Sequence, residues 1–158
     1  MIFLFYMLFC LQEPKLSVSS PDFEHEGVLP RKFTCDGDDT NPTLFVEGIP
    51  ERCKSLVVIV EDPDVSTTTF NHWIVWNVPP QETLVEGNVK GVEGSNSLGK
   101  NNYLGPCPTA GSHRYFFKVY ALDRTLALEK DTDKAELERA MAPYVLAQGE
   151  IMGTYQRK

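Results

Sequence analysis

The stretch from Tyr103 to Leu122 limits the fold more than any other, because its two halves have opposite characters. Its first half concentrates prolines and glycines between Gly105 and Gly111. Proline donates no backbone hydrogen bond and glycine tolerates positive φ, so this half predicts an irregular loop. From Arg114 the chain becomes aromatic and β-branched with partial alternation, which predicts a strand. The sequence therefore places His113 on a rigid loop at the start of a strong strand, an arrangement that often carries function.

A second pair of predicted strands, with a polar turn between them, lies earlier in the chain. Leu56 to Val60 is a short apolar run, typical of a strand that is buried on both faces. The turn Asp62-Pro63-Asp64 then leaves carboxylates at the end of that strand. Asn71 to Val78 predicts the next strand, which Pro79-Pro80 ends. Two loops that each carry titratable groups beside a core strand predict a pocket.

The other strand signals are weaker and are separated by polar segments. Asp36 to Asn41 is typical of a solvated turn, and Gln81 to Gly99 of a long surface connection. The remaining β predictions are an edge strand at Lys15–Ser20, a short strand or extended segment at Pro30–Cys35, a short strand at Leu44–Val46, and a last strand at Val145–Tyr155 interrupted by Gly149 and Gly153.

One helix is predicted near the end of the chain. Asp133 is a candidate N-cap with Glu136 three residues later, a pair that resembles a capping box. Leu137 and Met141 then fall on one face at helical spacing, and Pro143 should end the helix. Separate strands joined by long links, with this late helix, predict a mainly β fold. We expect an antiparallel Greek-key β-sandwich with one or two peripheral helices.

Length and charge narrow the classes of protein and partner. The chain has 158 residues, so we expect one domain over residues 15–158, preceded by an apolar segment of uncertain role at 1–14. The formal net charge of −7 argues against nucleic acid or an anionic membrane surface as the main partner. Met1 to Leu11 lacks a basic flank and is too short to span a bilayer, so no transmembrane segment is expected. We expect a cytoplasmic protein, with export as the alternative if this segment is a signal.

Several short motifs together resemble the phosphatidylethanolamine-binding protein family, which includes the Raf kinase inhibitor protein. The details are most similar to its bacterial and archaeal branch. The resemblance covers roughly Leu16 to Arg157, and it is specific because the motifs occur in the same order with suitable spacing. These motifs are Asp62-Pro63-Asp64, His72-Trp73, Gly105-Pro106-Cys107-Pro108 and Gly111-Ser112-His113-Arg114-Tyr115, supported by Phe33-Thr34-Cys35-Asp36-Gly37 and Ile151-Met152-Gly153-Thr154-Tyr155.

The resemblance implies a β-sandwich whose pocket binds small anions, such as phosphate, carboxylate or a phosphoethanolamine head group. It implies a binding or regulatory protein that acts like a kinase or protease inhibitor, without a cofactor, a metal or an enzymatic activity. The implied protein partner is unknown. Carried over by motif, the ligand-binding candidates are Asp62, Asp64, His72, Gly105, Pro106, Cys107, Pro108, His113 and Tyr115.

The pocket residues also carry expectations of their own. A buried carboxylate beside imidazoles should raise the pKa of those rings and keep one or both cationic. Arg114 is expected to form an ion pair with Asp62 or Asp64. Val65 follows the aspartate motif where the family commonly has alanine, and Thr109 follows Pro108 where the family often has a second proline. These departures soften the rims of the pocket and leave the anion-binding groups in place.

The cysteines and two further classes of function stay open at the level of sequence. Cys35 and Cys107 lie in motifs shared with the bacterial branch, which suggests a disulfide, whereas buried reduced thiols are the plainer interpretation. An enzyme would use Cys107 as nucleophile and His113 as base for hydrolysis or acyl transfer, or a metal held by His72, His113 and Asp62. An interaction module would instead present the exposed Gln81–Gly99 segment to a partner.

Overall fold

The computed structural model describes residues 14–158. The predicted N-terminal segment therefore lies outside the described residues, except for Pro14. The described part contains one α-helix, α1 (Lys134–Met141), and short 3₁₀ turns at Arg31–Phe33 and Ala142–Tyr144. Its eight strands are β1 (Ser17–Ser19), β2 (Leu44–Glu47), β3 (Ser55–Asp62), β4 (Phe70–Val78), β5 (Thr83–Leu84), β6 (Val92–Glu93), β7 (His113–Leu122) and β8 (Val145–Tyr155).

The strands form two antiparallel sheets, which confirms the predicted mainly β sandwich. The small sheet has the order β1-β2-β5, and the large sheet has the order β6-β4-β3-β7-β8. In the large sheet β7 returns after a long connection to pair with β3, the kind of return that defines a Greek key. No helix within residues 14–158 is long and apolar enough to cross a membrane.

Strand β3 is the centre of the molecule, and its position explains its continuous apolar sequence. It lies between β4 and β7, and all eight of its residues are buried. Val58 and Val60 join the core between the sheets, whereas Val57 and Ile59 join a second core on the opposite face. Side chains alternate along a strand, so a strand covered on both faces needs apolar residues at successive positions.

Helix α1 covers that opposite face of the large sheet, as its sequence pattern predicts. The Asp133 side chain accepts a hydrogen bond from the Glu136 amide at 2.8 Å and caps the first turn. Leu137 and Met141 are buried in the core that contains Val57 and Ile59. The helix ends in the 3₁₀ turn that contains Pro143.

Three local predictions were wrong in detail. Pro30–Cys35 is not extended, because the amides of Phe33 and Thr34 bond back to Pro30 and Arg31 in a 3₁₀ turn. The Gln81–Gly99 connection contains the short strands β5 and β6. Strand β8 runs without interruption through its glycines. A Cβ atom at Gly149 would lie 2.1 Å from the Leu16 carbonyl oxygen, so this glycine permits close packing and does not break the strand.

Candidate functional site

A cavity of about 380 Å³ lies at one end of the large sheet, and most of the predicted site residues line it. Strand β3 ends where β4 and β7 begin, so their antiparallel pairing brings the two predicted loops to the same end. Seven of the nine candidates line the cavity: Asp62, His72, Gly105, Cys107, Pro108, His113 and Tyr115. A groove of about 470 Å³ along β7 and β8 contains none of the nine.

Asp62 and His113 form a bonded pair on neighbouring strands. Asp62 is the last residue of β3, His113 is the first residue of β7, and His113 Nδ1 lies 2.6 Å from Asp62 Oδ2. The other oxygen of Asp62 accepts the Asp64 amide at 2.8 Å. An ionised carboxylate can only accept hydrogen bonds, so Nδ1 of His113 carries the proton and Nε2 is left for other partners.

His72 is placed by an irregularity in β4. Val60 of β3 pairs with Trp73, whereas the next residue of β3 pairs with Asn71, so His72 is the extra residue of a β-bulge. Bulges re-aim side chains and are common beside functional sites. His72 Nδ1 lies 2.7 Å from the Leu104 carbonyl oxygen, and the Leu104 amide donates to the His72 carbonyl at 3.1 Å. Two hydrogen bonds therefore fix the backbone and the ring of His72 against the loop before β7.

The prediction that both imidazoles gain basicity from the carboxylate was wrong for His72. His72 is only 5% exposed, and burial lowers the pKa of its ring because a cation is poorly solvated in the interior. The hydrogen bond to Leu104 and the charge of Asp62 act in the opposite direction without overcoming burial. His72 is therefore a neutral imidazole at neutral pH.

Tyr115 forms the buried side of the cavity. Its ring lies 5.3 Å from the His72 ring in an edge-to-face arrangement and 6.5 Å from the His113 ring. Burial raises the pKa of its hydroxyl, and the nearby Asp62 carboxylate raises it further. The hydroxyl is close enough to Asp62 to sense this charge, but it has no hydrogen-bond partner of good geometry within residues 14–158. Buried polar groups are usually paired, so this hydroxyl is an unusual feature of the wall.

The other two candidates lie outside the cavity and have structural contacts. Asp64 receives the Arg114 side chain at 2.7 and 3.0 Å and the Arg114 amide at 2.8 Å, which confirms one of the two expected ion pairs. The hydrogen bonds from Arg114 lower the pKa of Asp64 to about 2. Pro106 is buried, and its carbonyl accepts the Cys35 amide at 3.1 Å. Both residues shape the loops of the site and do not face the cavity.

A disulfide between Cys35 and Cys107 joins two walls of the cavity. Their Cα atoms are 5.4 Å apart, and the structure confirms the pairing that the resemblance suggested. The Asp39 side chain makes a second link, since its Oδ1 accepts the Gly105 amide at 2.5 Å. Asp39 lines the cavity, so the interpretation of its segment as only a solvated turn was wrong. The proposed disulfide is the sequence signal that could have brought this turn to the site.

The rest of the wall is mainly apolar, and sequence reasoning missed most of it. Val65, Phe70, Leu98 and Leu104 line the cavity. Leu98 is 59% exposed, so it offers apolar surface at the edge of the cavity. These side chains belong to loops without a recognisable motif, and only the folded arrangement brings them together.

One of the enzymatic alternatives, with Cys107 as the nucleophile, loses its chemical basis in this arrangement. Cys107 is oxidised in the disulfide and has no thiol to act as a nucleophile. Within residues 14–158, no group of three or more His, Cys, Asp and Glu side chains is arranged to hold a metal ion. Asp62 and both imidazoles are instead engaged in pairwise hydrogen bonds to the protein.

Comparison with known proteins places this site in a family. The family model described as phosphatidylethanolamine-binding protein matches residues 19–156. The chain belongs to the phosphatidylethanolamine-binding protein family. Its relatives within that family include a UPF0098 protein of Pyrococcus abyssi, which is 45% identical over 157 residues covering 92% of this chain and 88% of the relative.

Two solved members of the phosphatidylethanolamine-binding protein family share the architecture. A crystal structure of a family homologue from Chlamydia trachomatis superposes with a TM-score of 0.87 at 37% identity, covering 92% of this chain and 100% of that one. YbcL of Escherichia coli, described as a new member of the mammalian family, gives a TM-score of 0.83 at 28% identity, covering 91% and 99%. These relatives fit the bacterial and archaeal branch that the motifs indicated.

Proposed function

We propose that this protein is a non-enzymatic binding protein that holds a small phosphate- or carboxylate-bearing ligand in the cavity. The proposal rests on one observation: the cavity is lined mainly by apolar side chains, and its few polar groups include His72, His113, Asp62 and Tyr115. Small-molecule sites typically combine apolar walls with a few polar groups that fix orientation. The Nε2 atom of His113 donates to an anionic oxygen when the ring is protonated, because Nδ1 already shares its hydrogen with Asp62, and the unpaired Tyr115 hydroxyl is the other donor.

The electrostatics favour a short-range mode of binding. When His113 is protonated, it forms a salt bridge with Asp62, and the pair is neutral overall. The protein as a whole carries a formal charge of −7, so it does not attract anions over long distances. Affinity must therefore come from directed hydrogen bonds inside the cavity, where low exposure to water strengthens them.

The three histidines of the chain provide the test, because two of them line the cavity and His25 does not. We expect titration with phosphoethanolamine, followed by NMR of the imidazole rings, to shift His72 and His113. His25, whose side chain is 59% exposed, is the internal control and should not shift. The proposal fails if millimolar ligand moves neither cavity histidine, or if it moves all three equally through a general salt effect.

A regulatory role through protein contact is the second candidate. The segment Gln81–Gly99 carries two exposed apolar side chains, Val85 at 47% and Leu98 at 59% exposure. Exposed apolar residues can mark a contact surface, and an inhibitor-like protein would use such a surface. Val85→Ser should weaken partner capture while leaving ligand binding at His113 unchanged, because Val85 does not line the cavity. Capture that survives this change at full strength would exclude Val85 as part of the contact.

The cellular compartment of the protein, cytoplasm or an exported location, is a separate question that the cysteines bear on. The disulfide suits an oxidising compartment, although intracellular proteins of hyperthermophiles also contain disulfides. Cytoplasmic location and export thus both fit the cysteine chemistry. Fractionation of the source cells with rapid alkylation of free thiols distinguishes them and reports the state of Cys35 and Cys107 at the same time.

A further inference from the structure

Two grooves on the helix-covered face of the large sheet meet at Pro14, where the described part of the chain begins. Both grooves are lined by Pro14, Tyr120 and Gln148. Tyr120 and Gln148 pair across β7 and β8, and Tyr120 packs on the core that α1 covers. The residues before Pro14 therefore join the domain on this face of the sheet.

The pairing of Lys15 sets the direction from which the chain arrives. Lys15 forms a parallel bridge with Gln148, and the Leu16 amide donates to the Gln148 carbonyl at 2.9 Å. Two parallel segments advance in the same direction, so residues that precede Lys15 lie toward the start of β8. That start is Val145, which follows directly after α1 and its 3₁₀ turn.

The groove that lies in this direction has a mainly apolar lining. Its volume is about 410 Å³, and Glu138 is the one charged side chain among the described residues that line it. The side chains of Tyr120, Val145 and Leu146 are only half-buried, so apolar surface is left uncovered there. The apolar lining beyond Pro14 consists of Tyr120, Met141, Ala142, Val145, Leu146 and Ala147.

The groove of about 470 Å³ lies in the opposite direction along β8 and suits an apolar chain less well. It is lined by the charged residues Lys15, Lys118 and Glu150. Lys118 already pairs with Glu61. An apolar segment placed over these groups would remove charges from water, which is costly.

The segment Met1–Leu11, which lies outside the described residues, has the composition and the length to fill the apolar groove. It contains no charged side chain, and apolar surface left in water is unfavourable. An extended chain advances by at most about 3.6 Å per residue, so the four steps from Pro14 to Cys10 span up to about 14 Å. Val145 is three residues from Gln148 along β8, a distance of about 10 Å.

We propose that Met1–Leu11 packs against its own domain, in the groove between the start of β8 and the end of α1. The segment covers Tyr120, Val145 and Leu146 and extends the core on the helix side of the sheet. This groove shares no described lining residue with the cavity at the end of the sheet, so the inference is independent of the proposed function.

A disulfide trap in the full-length chain tests the location. Cys10 provides one thiol, and Ala142→Cys places a second thiol at an exposed position that lines the groove. Ala135→Cys is the matched control, because Ala135 is an exposed residue of α1 that does not line the groove. Both variants carry Cys53→Ala, which removes the free thiol of the described residues.

Peptide mass mapping after mild oxidation gives the readout. We expect at least about tenfold more cross-link from Cys10 to position 142 than to position 135, because docking raises the effective concentration of the first pair. Equal yields at the two positions would show that the segment has no preferred place on the surface and would refute the proposal. A cross-link between two chains would identify a second copy as the occupant, which also refutes it.

The unmodified protein provides a readout that does not depend on the folding of a variant. NMR should show through-space contacts between the Tyr120 ring and methyl groups of Met1–Leu11, and the absence of such contacts would overturn the proposal. The same protein should stay in solution when phosphatidylcholine vesicles are sedimented. Sedimentation with the vesicles would assign the segment to a lipid surface, and an intact mass without the segment would show its removal; either result overturns the proposal.

Discussion

Removing the disulfide between Cys35 and Cys107 should destabilise the protein substantially through the unfolded chain. The two cysteines are separated by 72 residues, and a cross-link of that span restricts the unfolded ensemble. The chain-entropy relation gives a loss of about 4 kcal/mol in the free energy of unfolding at 25 °C. A domain of this size loses roughly 2–4 °C in Tm per kcal/mol, so we expect Tm to fall by about 8–16 °C.

The native state should change little, because other contacts hold the same loops together. The Cys35 amide donates to the Pro106 carbonyl, the Gly105 amide donates to Asp39, and the Tyr103 hydroxyl donates to the Phe33 carbonyl at 3.0 Å. These hydrogen bonds do not depend on the sulfur–sulfur bond. The double variant Cys35→Ser/Cys107→Ser should therefore keep the fold by circular dichroism at 25 °C.

Thermal unfolding with and without a dithiol reductant provides the assay. Thiol counting in denaturant should show two additional thiols after reduction of the unmodified protein. Its Tm should fall on reduction, whereas the double variant should show the lower Tm under both conditions. A Cys53→Ala variant, which changes the free cysteine of the described residues, should respond to reductant like the unmodified protein. The reasoning is refuted if two thiols are released and Tm stays within about 2 °C.

Three further outcomes follow from other contacts. The pKa of Asp64 is lowered from 3.8 to about 2, so its pairing with Arg114 stabilises the protein above about pH 4 and is lost as the pH falls toward 2. Because the Arg114 side chain is exposed, Asp64→Asn should cost at most about 1 kcal/mol by urea unfolding at pH 7. The cost should be clearly smaller near pH 2, where about half of the Asp64 carboxyls are protonated in the folded protein. An equal cost at both pH values would contradict this. Tyr115→Phe removes an unpaired buried hydroxyl, so stability should stay the same or rise, while phosphoethanolamine should bind about fivefold more weakly if that hydroxyl donates to the ligand. Leu137→Ala should cost about 2–5 kcal/mol in chemical denaturation because Leu137 is fully buried under the sheet, whereas the exposed Leu98→Ala should cost almost nothing; similar losses would contradict the assigned burial.

The sequence predicted the parts of the fold whose local pattern agrees with their final environment. Leu56 to Val60 reads as a strand buried on both faces, and β3 is covered by the second sheet on one face and by α1 on the other. Asp133 and Leu137 likewise predicted the helix cap and its buried face. Pro30–Cys35 failed because the hydrogen bonds of a 3₁₀ turn leave no distinctive pattern in so short a segment.

The site was predicted by position more successfully than by electrostatics. The motifs placed His72 and His113 at one cavity, but the bulge that aims His72 depends on the pairing between β3 and β4. The direction of the His72 pKa shift could not be inferred from the neighbouring carboxylate, because burial has the larger effect on this ring. Asp39 was missed because its role arises from contact with Gly105, far away in the sequence.

The covalent link between the cavity walls has an evolutionary consequence. The loops are held by the disulfide and by backbone hydrogen bonds, so the positions of the walls do not depend on the side chains of Val65, Leu98 or Thr109, which line the cavity. Substitutions at such positions can alter the shape of the binding space at little cost to folding. A scaffold of this kind lets the lining of the cavity change during evolution while the architecture stays the same.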